Sequence, residues 1–282
     1  MGSLVSPKGL RAILPEVTVL DVRWRLGRTD GYKQYVAGHV PGAVYVDLET
    51  DLADPASDPP GPGGRHPLPD ADRFAAAMRR CGVRRDRPVV VYDDTSGTAA
   101  ARAWWLLRYH GHPDVRLLDG GWSGWLAGVA GRGGATEVGE ARPEPGDLVA
   151  DPGHLPVVGA DDAARVAREG VLVDARAPER FRGDVEPVDP VAGHIPGAVN
   201  VPTSANLEDG RWRPLGELAE VYGATAGARE VAVYCGSGVT ATHDLFALHL
   251  LGRDAALYPG SWSGWVSDPG RPVLSRASRH RT

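Results

Sequence analysis

Cysteine is scarce in this chain, with only Cys81 and Cys235 among 282 residues. Two cysteines cannot form a disulfide framework, so we expect a reducing, cytoplasmic setting. The cysteines and the nine histidines show no paired metal-ligand spacing. We therefore predict no structural zinc.

Long apolar runs and an excess of positive charge are also missing. No run approaches the ~20 apolar residues that span a bilayer. The N-terminal stretch has no apolar core before a small-residue cleavage site, which predicts no signal peptide. The formal net charge is −5, which disfavours nucleic acid or an anionic membrane as the main partner.

Two halves of the chain carry the same pattern, which is its most informative feature. GHVPGA in the first half recurs as GHIPGA, and GGWSGW recurs as GSWSGW. We predict a tandem duplication with an N-terminal domain over residues 1–130, a linker over 131–152 and a C-terminal domain over 153–282. The first copy also carries a longer Pro- and Gly-rich loop, DLADPASDPPGPGGRHPLP. An intramolecular pair of domains favours a monomer.

Each copy alternates short β-branched runs with helical stretches. Strands are predicted in VTVLDV, VVVY, VLVDA and VAVY, and helices in DADRFAAAMRRCG, AARAWWLLRYHG, DDAARVAREG and THDLFALHLLG. This alternation predicts an α/β fold in which each domain has a central, mainly parallel sheet flanked by helices. Sites in such sheets lie beyond the carboxyl ends of the strands, which is where Cys235 is expected.

Cys235 stands on a glycine-rich turn, YCGSGVT, between a predicted strand and a predicted helix. Two glycines allow a sharp turn that aims several N–H groups at one point, where an anion is stabilised. A buried, inert cysteine ahead of a turn is the alternative. The first copy has Asp93 and Asp94 in place of Cys235 and Gly236, which indicates one active and one inactive site. Cys81 ends a predicted helix and is expected to be a packing residue.

The combination of motifs resembles the two-domain rhodanese sulfurtransferases over essentially the whole chain. GHVPGA and GHIPGA are similar to the family's motif early in each domain, and GSWSGW is similar to its C-terminal motif. The loop CGSGVT resembles that of the 3-mercaptopyruvate sulfurtransferases, whereas the thiosulfate enzymes carry cationic residues just after the cysteine. A neutral loop with a hydroxyl suits a singly charged donor better than the thiosulfate dianion.

The resemblance implies a set of site residues. Cys235 would be the nucleophile that carries the persulfide, and Arg180 would bind the substrate carboxylate through two hydrogen bonds. Arg176 is the alternative for that role, or else a structural ion-pair partner of Asp174. The loop residues implied in donor and persulfide binding are Gly236, Gly238, Val239 and Thr240.

The 3-mercaptopyruvate enzymes are also described with a serine–histidine–aspartate relay. The matching residues here are Ser237, His39 and Asp30. The alternative for His39 is a structural turn histidine, because His194 occupies the same place in the second copy.

The chain departs from the family pattern at one position. The 3-mercaptopyruvate enzymes often have a second arginine nine residues after the first, and this chain has Asp189 there. We expect either that another cation, such as Arg182, replaces it or that carboxylate binding is weaker.

The resemblance implies ping-pong transfer of sulfane sulfur from 3-mercaptopyruvate to thioredoxin, a small thiol or cyanide, without a metal or organic cofactor. A thiosulfate:cyanide sulfurtransferase is one alternative, and a non-catalytic sulfur-carrier or binding module is another. A phosphatase with a C-x5-R loop on a related fold is disfavoured, because Ala241 stands where that arginine is needed.

Overall fold

A computed structural model of the protein describes residues 2–128 and 136–276. The chain forms two compact units. The first contains the residues up to Asp54, from Pro69 to Leu155 and from Asp209 to Trp212. The second contains Pro55–Leu68, Pro156–Glu208 and the residues from Arg213 onward. Part of the predicted linker, residues 131–135, lies outside the described residues.

Strands and helices alternate along the described chain. The strands are β1 (Leu4–Val5), β2 (Thr18–Asp21), β3 (Val44–Tyr45), β4 (Val89–Tyr92), β5 (Val115–Leu118), β6 (Val171–Asp174), β7 (Val199–Asn200), β8 (Leu207–Glu208), β9 (Arg211–Trp212), β10 (Val231–Tyr234) and β11 (Ala256–Leu257). The helices are α1 (Pro7–Ile13), α2 (Gly31–Ala37), α3 (Leu48–Asp51), α4 (Ala71–Arg80), α5 (Thr98–Tyr109), α6 (Gly121–Ala127), α7 (Ala160–Glu169), α8 (Pro178–Arg182), α9 (Leu215–Val221), α10 (Ala241–Leu250) and α11 (Ser261–Trp265).

Each unit is built on one parallel sheet. The order is β1-β5-β4-β2-β3 in the first unit and β11-β10-β6-β7 in the second, and neighbouring strands pair in parallel. Every residue of β4 and β10 is buried. Continuous Val-rich runs are required for such strands, because helices cover both faces of a parallel sheet. The α/β class and the tandem arrangement predicted from the sequence are confirmed.

The helices that follow β4 and β10 are almost entirely buried. In α10 the buried positions run without interruption from Ala241 to Leu248. By contrast, α4 has one apolar face, and the Asp70 side chain caps it by accepting from the amides of Asp72 and Arg73. Among the described residues, no helix is both long and apolar enough to span a bilayer.

A buried aspartate–arginine pair recurs at the end of the same strand in both units. In the second unit, Arg176 Nη2 lies 2.7 Å from Asp174 Oδ2, and its guanidinium stacks 4.6 Å from the Trp262 ring. The first unit repeats the ion pair with Arg23 and Asp21, also at 2.7 Å. Arg176 is therefore a structural residue, and Trp262 packs in the core of the second unit.

Residues 55–68 are the main departure from the domain boundaries expected from sequence. They belong to the longer Pro- and Gly-rich loop of the first copy, yet they are part of the second unit. Gly64 and Gly260 pack so closely that a Cβ on Gly64 would lie 2.5 Å from the Gly260 carbonyl oxygen. The glycines of the loop thus allow backbone contact with the segment that begins α11.

Candidate active site

The predicted nucleophile lies at the carboxyl end of β10, on the loop that leads into α10. Only 1% of the Cys235 surface is exposed. Its Sγ accepts a hydrogen bond from the Gly238 amide at 3.2 Å and lies 4.0 Å from Ser261 Oγ. The Cys235 amide in turn donates to Ser261 Oγ at 3.1 Å. The sulfur is thus held by the backbone of its own loop and by the start of α11.

Gly238 is required by the shape of this loop. Its φ is +79°, and a Cβ there would lie 2.6 Å from the Pro259 carbonyl oxygen. Any other residue would be strained and would push the loop away. The loop then turns into α10, where the Val239 carbonyl accepts from the Thr242 amide at 3.2 Å, and Thr240 precedes the first helical residue.

In the corresponding loop of the first unit, several main-chain amides point at one buried side chain. Asp93, the counterpart of the cysteine, is fully buried. Its carboxylate accepts from the amides of Thr95, Gly97, Ala99 and Ala100 at 2.9, 2.8, 2.8 and 3.0 Å. Four amides that converge on one carboxyl group form a cradle of the kind predicted for the Cys235 loop. In the first unit this cradle is filled by the protein itself.

The predicted carboxylate-binding arginine lies over the loop but has acidic partners. Arg180 donates to Glu186 at 2.6 and 3.2 Å and to Asp189 at 3.3 Å. A Cβ on Gly236 would lie 3.5 Å from Arg180 Nη1, which places the guanidinium against the residue after the nucleophile. Burial would raise the pKa of Glu186, but the hydrogen bonds from Arg180 hold that pKa below its usual value.

A second guanidinium lies at the same place, and it comes from residues 55–68. Arg65 Nη2 would be 3.0 Å from a Cβ on Gly236, and Arg65 Nη1 forms an ion pair with Asp189. The predicted replacement, Arg182, instead donates to Asp184 at 2.7 Å and has about half of its side chain exposed. The additional cation that faces Asp189, beside Arg180, is therefore Arg65.

The histidine that contacts Ser237 is also different from the predicted one. His66 Nδ1 lies 2.7 Å from Ser237 Oγ, and both residues are buried. Because His66 follows directly after Arg65, residues 55–68 bring two functional groups to the nucleophile loop. The sequence signal for both was the extra length of this loop in the first copy, which ends in RHPLP.

The described contacts do not join the predicted relay of Ser237, His39 and Asp30. His39 lies in the first unit, where its Nδ1 contacts the Tyr35 carbonyl at 2.9 Å and its ring stacks on Tyr35. Asp30 accepts from Gln34 at 2.8 Å and pairs with Arg28. These contacts favour the structural alternative for His39, and the histidine in contact with Ser237 is His66.

The other cysteine has a different environment. Cys81 is buried at the end of α4, and its Sγ lies 3.8 Å from the Tyr45 carbonyl oxygen. Burial raises the pKa of the Cys81 thiol to about 12, which keeps it protonated and unreactive at neutral pH.

Comparison with known proteins agrees with this architecture. The model of the rhodanese-like domain matches residues 6–128 and 160–268. A putative thiosulfate sulfurtransferase SseB of Mycobacterium tuberculosis is 48% identical over 91% of this chain and 90% of its own length. A probable 3-mercaptopyruvate sulfurtransferase of Pseudomonas aeruginosa is 47% identical over 93% of each chain.

A solved structure extends the likeness to three dimensions. The crystal structure of SseA from Escherichia coli, described as a 3-mercaptopyruvate sulfotransferase with the rhodanese fold, superposes with a TM-score of 0.80. It is 33% identical, and the match covers 93% of this chain and 99% of SseA.

The fold, the loop and these matches together define the class of protein. The chain belongs to the rhodanese-like family, with the domain present twice. The resemblance inferred from the sequence is confirmed, and the protein is a tandem-domain sulfurtransferase of that family.

Proposed function

We propose that this protein moves sulfane sulfur from 3-mercaptopyruvate to a thiol or cyanide through a persulfide on Cys235. The observation that carries the proposal is the nucleophile loop. The Cys235 sulfur accepts a hydrogen bond from a main-chain amide of its own loop. Ser237 of that loop contacts His66, and two guanidinium groups lie against Gly236. A nucleophile, a proton-handling pair and an anion-recognition site are the groups this transfer needs.

The first half-reaction forms the persulfide. The Cys235 thiolate attacks the sulfur of 3-mercaptopyruvate, the S–S bond forms, and the C–S bond of the donor breaks. The electron pair of that bond leaves on pyruvate as its enolate, which takes up one proton. That proton is supplied by the donor thiol, so the products are pyruvate and a Cys235 persulfide anion. The loop amides stabilise this anion.

Ser237 and His66 are the groups placed to move that proton. The Ser237 hydroxyl lies two residues from the nucleophile, and His66 Nδ1 is within hydrogen-bond reach of it. Ser237 relays the proton from the donor thiol to the enolate, and His66 orients the Ser237 hydroxyl. His66 acts through Ser237 and is therefore a positioning residue.

The second half-reaction returns the enzyme to its starting state. Cyanide attacks the outer sulfur, the S–S bond breaks, and thiocyanate leaves while the Cys235 thiolate is regenerated. A thiol, including the thiol of a thioredoxin, takes the same sulfur as its own persulfide. No redox cofactor or metal is needed, because each step transfers one sulfur atom with its bonding electrons balanced.

Thiosulfate is the second candidate donor, and a specific observation favours it. Two guanidiniums, from Arg65 and Arg180, lie against Gly236 and would attract a dianion. The names of two similar proteins also differ in the donor. SseB of Mycobacterium tuberculosis is described as a putative thiosulfate sulfurtransferase, and the Pseudomonas aeruginosa protein as a probable 3-mercaptopyruvate sulfurtransferase. The acids that neutralise both guanidiniums favour a singly charged donor.

The deciding experiment compares the two donors in steady-state sulfur transfer to cyanide. We expect a kcat/KM for 3-mercaptopyruvate at least about tenfold above that for thiosulfate, which corresponds to about 1.4 kcal/mol of transition-state binding. Cys235→Ser should abolish turnover and the one-sulfur mass increase of the protein, whereas Cys81→Ser should change neither. Equal or better use of thiosulfate would replace the proposed donor. Persulfide formation without steady-state turnover would instead indicate a sulfur carrier.

A further inference from the structure

The donor groups of Arg65 are only partly used by the protein. Its Nη1 pairs with Asp189, and its main-chain amide donates to Ser263 Oγ at 3.1 Å. Its Nε is buried and has no hydrogen-bond partner among the described residues. Its Nη2 lies next to the nucleophile loop, 3.0 Å from the position that a Cβ on Gly236 would occupy. The Nε–Nη2 edge of a guanidinium is the fork that receives both oxygens of a carboxylate.

The position of Arg65 is fixed by its backbone. The Pro62 carbonyl oxygen packs against Gly260 and Gly264, where added Cβ atoms would lie 2.4 and 2.5 Å from it. Gly64 has a φ of +77° and contacts the Gly260 carbonyl in the same way. Such close backbone packing leaves little freedom, so the guanidinium is presented to the nucleophile loop in a preorganised position.

Asp189 shows that the two guanidiniums can hold a carboxylate. One of its oxygens pairs with Arg65 Nη1, and the other accepts from Arg180 Nη2 at 3.3 Å. Only 3% of its side chain is exposed. An internal carboxylate therefore bridges the two cations beside Gly236, much as an internal carboxylate fills the cradle of the first unit.

We propose that Arg65 is a donor-binding residue, and that its Nε–Nη2 edge acts with Arg180 to hold the anionic group of the sulfur donor above Gly236. The inference rests on the proposed function, because it names the residue that recognises the donor of that reaction. Asp189 orients the guanidinium through Nη1 and leaves the other edge for the donor. Recognition of the donor therefore depends on a segment that belongs, by sequence, to the first copy.

The test measures binding apart from chemistry. In the Cys235→Ser protein, 3-mercaptopyruvate and thiosulfate are titrated by calorimetry, with and without Arg65→Gln. Loss of a charge-assisted hydrogen-bonded pair should weaken donor binding about 10- to 100-fold. Arg65→Lys should restore part of the loss, because it keeps the charge without the fork. Arg182→Gln, an exposed arginine paired with Asp184, is the matched control and should leave Kd unchanged.

Kinetics with the intact nucleophile separate recognition from support of the fold. Arg65→Gln should raise the donor KM while kcat and the melting temperature stay within about twofold and a few degrees of the parent. An unchanged Kd in Arg65→Gln, or a loss of kcat with unchanged KM, would overturn the inference. So would a Cys235→Ser protein, with Arg65 intact, that binds neither donor. Arg65-dependent donor binding in a protein that never turns over would uphold it and reject the proposed function.

Discussion

At the scale of single residues, the proposed proton transfer depends on the contact between His66 and Ser237. His66→Asn should lower kcat about 100-fold with little change in donor KM, because the residue acts on Ser237 rather than on the donor. The measurement is steady-state transfer from 3-mercaptopyruvate to cyanide over a range of pH.

His39→Asn is the matched comparison, because it tests the relay expected from sequence. Its ring is bonded to a main-chain carbonyl and stacked on Tyr35, so we expect a lower melting temperature and a nearly unchanged kcat. If His39→Asn lost kcat and His66→Asn did not, the assignment made from the structure would be wrong. Asp30→Asn should behave as a surface substitution, since Asp30 pairs with the exposed Arg28.

The residues of the Cys235 loop were predictable from sequence, because they are neighbours along the chain. Cys235, Ser237 and the two loop glycines lie within four positions, and a strand–turn–helix pattern identifies them. His66 lies 171 positions from Ser237. No periodicity links two such positions, because tertiary packing alone brings them into contact.

At the scale of elements, the same strand–loop–helix unit is used twice with opposite outcomes. One copy presents a thiol to its amides, and the other presents a carboxylate that occupies them. In the proposed function, the copy with the thiol therefore carries the nucleophile. The Asp93 carboxylate, which accepts from four amides of its own loop, therefore has a structural role.

Asp93→Ala should therefore destabilise the first unit. Removal of the carboxylate leaves three buried amides and one half-buried amide without their acceptor, and we expect a loss of at least about 2 kcal/mol in the free energy of unfolding. Denaturant unfolding measures it. Asp94→Ala is the control, because the Asp94 side chain pairs with the half-exposed Arg25. Equal stability of the two variants would mean that the cradle needs no anion.

At the scale of the whole molecule, a buried acid sets part of the pH dependence of stability. Asp244 is fully buried in α10, where Asn206 donates to its Oδ1 at 2.8 Å. Burial raises the pKa of Asp244 from 3.8 to about 8, because the charged form is poorly solvated there. The folded protein therefore keeps this proton at neutral pH, whereas the unfolded chain has lost it.

This difference makes the stability of the native protein fall as the pH rises from about 4 to about 8. The folded state holds one more proton than the unfolded state in that window, so this group contributes a slope of up to about −1.4 kcal/mol per pH unit. Asp244→Asn copies the neutral acid and should remove that slope. Its stability should exceed that of the native protein increasingly as the pH approaches 8.

Denaturant unfolding at several pH values measures the difference between the two proteins. Asp254→Asn, at an exposed position, is the control and should run parallel to the native curve. Parallel curves for Asp244→Asn and the native protein would show that the buried carboxyl is not protonated when folded.

The sequence by itself determined the duplication and the α/β class, and it predicted that Cys235 is the nucleophile and that the first copy is inactive. Each of these rests on local patterns or on motifs that recur in the same order in both halves, and local patterns specify strands, turns and the residues on them. Arg176 shows what the sequence alone could not decide. A repeated aspartate–arginine pair is compatible with a structural or a functional role, and its contacts were needed to distinguish the two.

Only the tertiary structure decided which side chains surround the nucleophile. Residues 55–68 read as a Pro- and Gly-rich loop of the first copy, yet they fold with the second unit and bring Arg65 and His66 to Gly236 and Ser237. The physical reason is that an irregular segment has no periodicity to reveal its partner. A glycine can pack closely against many backbone segments, so the sequence does not identify the partner. The folded chain shows that the partner of Gly64 is Gly260, directly before α11.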